Sequence, residues 1–98
     1  MSECCLTLLC PTAMEAAVIE CLRASPNVAA FTVSSVVAPG FDRDLKPGEH
    51  WAPAPKTSIA VLLEWQARME FFTTLRNAFP GVAMPYWIVP VIDRDVLR

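Results

Sequence analysis

The residues of this chain best suited to chemistry are its thiols, Cys4, Cys5, Cys10 and Cys21, together with the single histidine, His50, and four methionines. Thiolate, thioether and imidazole are the ligands that hold Cu(I) or Zn(II). Their spacing does not build a simple site. Neighbouring residues of a strand point to opposite faces, so Cys4 and Cys5 could share an ion only where the N-terminus frays. Cys4 and Cys10 share a face but stand about 20 Å apart at roughly 3.3 Å per residue. No Cys-x-x-Cys or His-x-x-x-His pair occurs, and such pairs are what a structural zinc site is usually built from. Cys10 and Cys21 read more simply as small core hydrophobes. The metal candidates are therefore Cys4, Cys5 and His50, within one chain or between subunits.

Nothing in the pattern supports catalysis. A cysteine nucleophile needs a base in contact with it, and no cysteine here carries a local catalytic signature. Phosphate-binding loops, nucleophile elbows and paired-carboxylate motifs are missing from the sequence. No catalytic residue is assigned, and a binding protein is expected rather than an enzyme.

The second group of candidates lies in residues 38–55. Pro39, Pro47, Pro53 and Pro55 stand there with Gly40 and Gly48, and most of the polar residues are charged. Neither a helix nor a sheet ladder survives that composition. A long loop inside a compact domain is usually functional or disordered. In it, His50 could bind metal or change charge near neutral pH. Trp51 could anchor a partner, or lie tucked against the body. Phe41, Arg43, Lys46 and Lys56 complete the ligand- or partner-facing set, although Asp42-Arg43-Asp44 also reads as a solvated turn. Tyr86 and Trp87 could line a cleft; packing is the simpler reading of aromatics at alternating positions. Asp93-Arg94-Asp95 reads as a second solvated segment.

The elements that must position these groups are legible from period and punctuation. Cys4 to Cys10 is a short run apolar on both faces, as in a doubly covered strand, and Pro11 stops it. Thr12-x-x-Glu15 spells a capping box. Met14, Ala17, Val18, Cys21 and Leu22 then recur at helical spacing, and Arg23 suits the negative end of the helix dipole. Ser25-Pro26-Asn27 turns the chain. Val28–Val37 is a second strand rich in β-branched residues. Residues 57–65 form a third, with Ile59, Val61, Leu63 and Trp65 on one face. Residues 66–79 form a second helix with Phe72, Leu75 and Phe79 in its apolar stripe, closed by Pro80-Gly81. Residues 82–92 form a fourth strand, placed at a sheet edge because Pro85 and Pro90 cannot donate to a neighbour.

The order β-α-β-β-α-β predicts an α+β, ferredoxin-like sandwich: an antiparallel four-stranded sheet with two helices on one face. Right-handed crossovers put strands one and three in the centre and two and four at the edges. The other face stays open and apolar, where a partner subunit could pack.

The totals agree. Ninety-eight residues suit one domain, spanning 1–98 with the long loop at 38–55. Apolar residues make up 54% of the chain, against about 45–50% in soluble proteins by a count that includes glycine. A chain this small cannot bury all of that, so some belongs at an interface. The net charge of -2 and the scattered basic residues argue against nucleic acid. Met1-Ser2-Glu3 lacks a basic signal region, and the apolar stretch at 81–92 is too short to span a bilayer. A soluble cytoplasmic protein with reduced thiols is expected.

Three phrases then carry a resemblance: Leu6-Thr7-Leu8-Leu9-Cys10-Pro11, Leu75-Arg76-Asn77-Ala78-Phe79 and Tyr86-Trp87-Ile88-Val89-Pro90-Val91. They resemble the DUF3240 family of bacterial proteins, itself considered similar to the PII-like (nitrogen regulatory protein) superfamily. The resemblance implies a ferredoxin-like homotrimer. It implies that loop 38–55 corresponds to the segment through which PII-like proteins touch targets, and that the effector is a small molecule or a metal. Because family members are often encoded near heavy-metal efflux systems, it also implies a role beside a membrane transporter. Relatives tend to carry a Gly-Arg and basic cluster before strand three. Here Trp51-Ala52-Pro53-Ala54-Pro55-Lys56 stands instead, so no nucleotide-binding residue carries over and the cofactor stays open.

Overall fold

The computed structural model describes residues 2–39 and 55–98. Its elements run β1 (Glu3–Pro11), α1 (Glu15–Ala24), β2 (Val28–Val37), β3 (Pro55–Glu64), α2 (Arg68–Ala78) and β4 (Tyr86–Pro90). Strands pair antiparallel in the order β2-β3-β1-β4, so the expected centre and edges hold.

Alternation along β1 and β3 decides which residues become core. Cys4, Leu6, Leu8 and Cys10 face the helices from β1; Thr57, Ile59, Val61 and Leu63 do so from β3, directly opposite them. All eight are essentially shut off from solvent. The helices close that face with Val18 and Leu22 from α1 and Phe71 from α2, and Met14, Phe72, Leu75 and Phe79 fill in around them. Phe71 is thus the anchor of α2, one position away from the stripe that spacing singled out.

Three details depart from the sequence reading. The capping box does not form: neither helix entrance has a side-chain cap. A single 3₁₀ turn, Thr12–Met14, leads into α1, and another, Trp65–Ala67, leads into α2. Thr12 and Glu15 are engaged elsewhere, in contacts with the start of β3 described below. The third strand begins two residues early, because Pro55 has only to lie opposite Val37 at the end of the ladder. The fourth strand is half its expected length, Tyr86–Pro90. After α2, Gly81 takes φ 77°, a left-handed turn that favours glycine. The chain from there to Pro85 is not part of the sheet. It rejoins β1 through the Leu9 N–H donating to the Pro85 carbonyl at 2.9 Å.

Candidate functional site

Two regions outside the core have the composition of a binding surface, and β3 connects them. The first is the open face of the sheet. Register places Ala30, Leu62, Cys5 and Val89 in one row across the four strands, and Thr32, Ala60, Thr7 and Trp87 in the next. Ser34, Ser58 and Leu9 follow in a third. Small residues and two leucines, Leu62 and Leu9, fill the middle of this surface, and larger apolar ones stand at the β4 side, where Trp87 is 42% and Val89 48% exposed. A low, largely uncharged surface of this kind lets a second sheet approach closely. Leu9 is buried on this side, outside the core cluster.

Charge stands at its two ends, with Lys56 in register with Val36 and Pro11 at one and a pair of carboxylates at the other. Glu3 lies opposite Glu64 in register, and like charges opposed across a ladder repel. Arg94 relieves this: its Nε donates to Glu3 Oε1 at 2.7 Å and its Nη2 to Oε2 at 2.9 Å. That bidentate hydrogen bond holds the Glu3 carboxyl below its usual range. Arg94, expected in a solvated segment, therefore ties the chain after β4 to the start of β1.

The second region is the base of segment 38–55. Val37 pairs with Pro55, and Lys56 lies between Val36 and Pro11. Thr12 Oγ1 donates to the Pro55 carbonyl at 3.1 Å, and Thr57 Oγ1 donates to Glu15 Oε1 at 3.0 Å. The start of α1 thus clamps the point where that segment returns to the sheet. The clamp has no short-range sequence signal, since its partners lie 43 and 42 residues apart. Phe41, Arg43, Lys46, His50 and Trp51 lie outside the described residues; Lys56 alone of that set is placed, on β3 beside the clamp.

The thiols are distributed rather than gathered. Cys4 faces the core and donates through Sγ to the Leu63 carbonyl at 3.5 Å, while Cys5 is half-buried on the open face. Burial raises the thiol pKa of Cys4, Cys10 and Cys21. All four cysteines are free. Among the described residues no three histidine, cysteine or acidic side chains gather as metal ligands. No helix among them is long and apolar enough to cross a membrane.

Residues 1–97 match the family model described as "Protein of unknown function (DUF3240)". The chain belongs to the DUF3240 family. A DUF3240 family protein from Shewanella baltica OS155 superposes with a TM-score of 0.82 over 100% of this chain and 99% of that one, at 15% identity. A nitrogen regulatory PII-like protein from Thiomonas intermedia K12, bound to ADP, AMP and bicarbonate, superposes with a TM-score of 0.67 over 98% of each chain at 9% identity. A putative PII-like signalling protein from Thermus thermophilus does so at 0.64 over 93% of this chain and 88% of that one, at 11% identity. No curated protein matches. At these identities the likeness establishes the fold: this DUF3240 chain has the PII-like, ferredoxin-type architecture.

Proposed function

We propose that this DUF3240 chain is a cytoplasmic, one-domain regulatory protein that assembles as a homotrimer through its open sheet face. It takes a small effector near the subunit junctions and meets a partner, a membrane transporter, through residues 38–55. Phe41, Arg43, Lys46, His50, Trp51 and Lys56 are the groups proposed to touch ligand or partner. The observation that carries the reading is the contrast within one sheet. One face is filled by helices, and the other presents rows of small and apolar residues with charge only at its two ends, Glu3 and Glu64 at one and Lys56 at the other. Two further copies of the chain, packed head-to-tail around a threefold axis so that each covers part of this face, are the occupants that meet it on like chemical terms. The Thiomonas protein, of like fold, has ADP, AMP and bicarbonate bound, which supports a small effector here. An effector changes partner contact only if it binds two arrangements of the 38–55 segment unequally.

Thermal unfolding under reducing conditions tests this, with ADP, AMP, bicarbonate, Zn(II) and Cu(I) as ligands. A ligand of the folded state adds about 2.7 kcal/mol at a hundred times its dissociation constant. A rise in midpoint with a nucleotide or bicarbonate is the expected result. The rival is a metal-binding accessory protein for heavy-metal tolerance using Cys4, Cys5 and His50. It requires a rise with metal alone, lost on replacing Cys4 and Cys5 by Ser. No rise with any of the five contradicts the effector reading. Removing residues 41–51 should leave the oligomer intact and abolish partner binding; loss of the oligomer would refute that division of labour.

A further inference from the structure

A cavity of about 380 Å³ opens on the helix side of the sheet, between α2, the 81–85 connection and the β4 edge. Leu6 and Leu8 of β1 form its floor, and Phe72, Leu75 and Phe79 of α2 form one wall. Val82, Met84 and Tyr86 form the other. The space is half open to solvent, a surface cleft and not an enclosed void. It falls at the small end of ligand pockets, roughly 300–1,000 Å³.

The wall chemistry narrows the occupant. Every lining side chain is apolar or aromatic except one: Arg76, an exposed residue in the last turn of α2. Its guanidinium carbon stands 5.9 Å from the centre of the Phe72 ring, which in turn lies 4.8 Å from the Tyr86 ring at 47°. Among the described residues no carboxylate lies within ion-pair distance of Arg76. A planar fork of donors without an anionic partner thus stands at the mouth of an apolar space, the geometry that receives a carboxylate bidentately. Met84 supplies a flexible wall that adapts to different apolar shapes. With one cation, the site lacks the groups to hold a polyphosphate.

We infer that this cavity binds a small amphipathic monocarboxylate, with its hydrocarbon body against Phe72, Phe79 and Met84 and its carboxylate on Arg76. The site lies within one chain, on the side of the sheet away from the open face, so it stands independently of the assembly proposed above.

Octanoate is the probe, and 1-octanol its uncharged counterpart, both titrated into the full chain by calorimetry and followed by amide NMR. Octanoate should bind saturably and shift the amides of residues 72–86, more tightly than octanol does. Arg76→Glu, a surface substitution that leaves the core untouched, should weaken octanoate about tenfold or more, a loss of some 1.4 kcal/mol, and leave octanol unchanged. Val82→Trp, which fills the cavity, should abolish both. The inference is overturned if octanoate causes no saturable shift in those amides. It is equally overturned if R76E binds octanoate as tightly as the native chain.

Discussion

The two faces of one sheet are built from adjacent residues of the same strands, yet they do opposite work. On β1, Cys4, Leu6, Leu8 and Cys10 disappear beneath the helices, while Cys5 and Thr7 between them stay half-exposed. On β3 the same holds for Ile59, Val61 and Leu63 against Ser58, Ala60 and Leu62. The covered face carries bulk: branched residues meeting Phe71, Val18 and Leu22. The open face carries less bulk and holds its charges, Glu3, Glu64 and Lys56, at its two ends. A strand used by a monomer would alternate apolar with strongly polar residues. These strands instead put alanine, threonine, serine and leucine on their second face. The central strands thus carry one interior completed by this chain's helices and a second apolar face that the proposed assembly would cover.

The comparison can be broken most severely at Phe71. Phe71→Ala removes the ring that α2 drives into the covered face and should cost about 3–5 kcal/mol in urea unfolding. A loss under about 1 kcal/mol would mean that this face is not the core. Leu62→Asp makes the matching test on the other side. It should dissociate the oligomer while leaving the circular dichroism of the fold intact. It should also raise the rate at which Cys5 reacts with a thiol reagent on the order of tenfold, because the thiol becomes accessible. Cys4 and Cys10 should remain silent in both proteins until unfolding, since burial both hides them and raises their pKa. Equal labelling of Cys5 in the native and L62D chains would contradict the proposed cover of that face.

Smaller effects probe the edges of each face. Thr57→Val keeps the shape of the covered face but deletes the hydroxyl that donates to Glu15 at 3.0 Å. About 1 kcal/mol of stability should be lost, with the residues around Pro55 showing faster amide exchange. At the open end, Glu3 has its carboxyl pKa lowered by the Arg94 hydrogen bond. A lowered folded pKa stabilises the native state at pH values above the unfolded one, about 4.3, and that contribution fades as pH falls through the folded value. Glu3→Gln should therefore be less stable than the native chain at neutral pH, and the gap should close on acidification below about pH 4. A gap that widens in acid would reverse the assignment.

Much of this architecture was legible in the sequence because it rests on local patterns. Period-two alternation separates the two faces from residue 57 to Glu64, although Trp65, assigned to the covered face, falls in the 3₁₀ turn beyond the strand and is exposed. Pro90 at the end of β4 and Pro85 just before it fit an edge strand by their missing donors. The misreadings all involve competition from distant residues. Thr12 and Glu15 have the spacing of a helix cap, but β3 offers the same hydroxyl and carboxylate better partners. Val82 and Met84 have strand character, yet they line a cavity. Arg94 reads as solvated because its partner, Glu3, lies 91 residues away. Phe71 and Phe72 are neighbours in an aromatic pair, and only the helix's rotation against the sheet decides which one is buried. The Arg76 cavity depends on the path taken from Gly81 to Tyr86, which no spacing rule encodes.

The most direct test of the proposed assembly is the mass of the native protein in solution, measured by light scattering behind size exclusion at micromolar concentration. A mass three times the 10.8 kDa of one chain is the predicted result. A single chain's mass, with Cys5 fully reactive, would contradict the claim that the open face is built to be covered by its own copies.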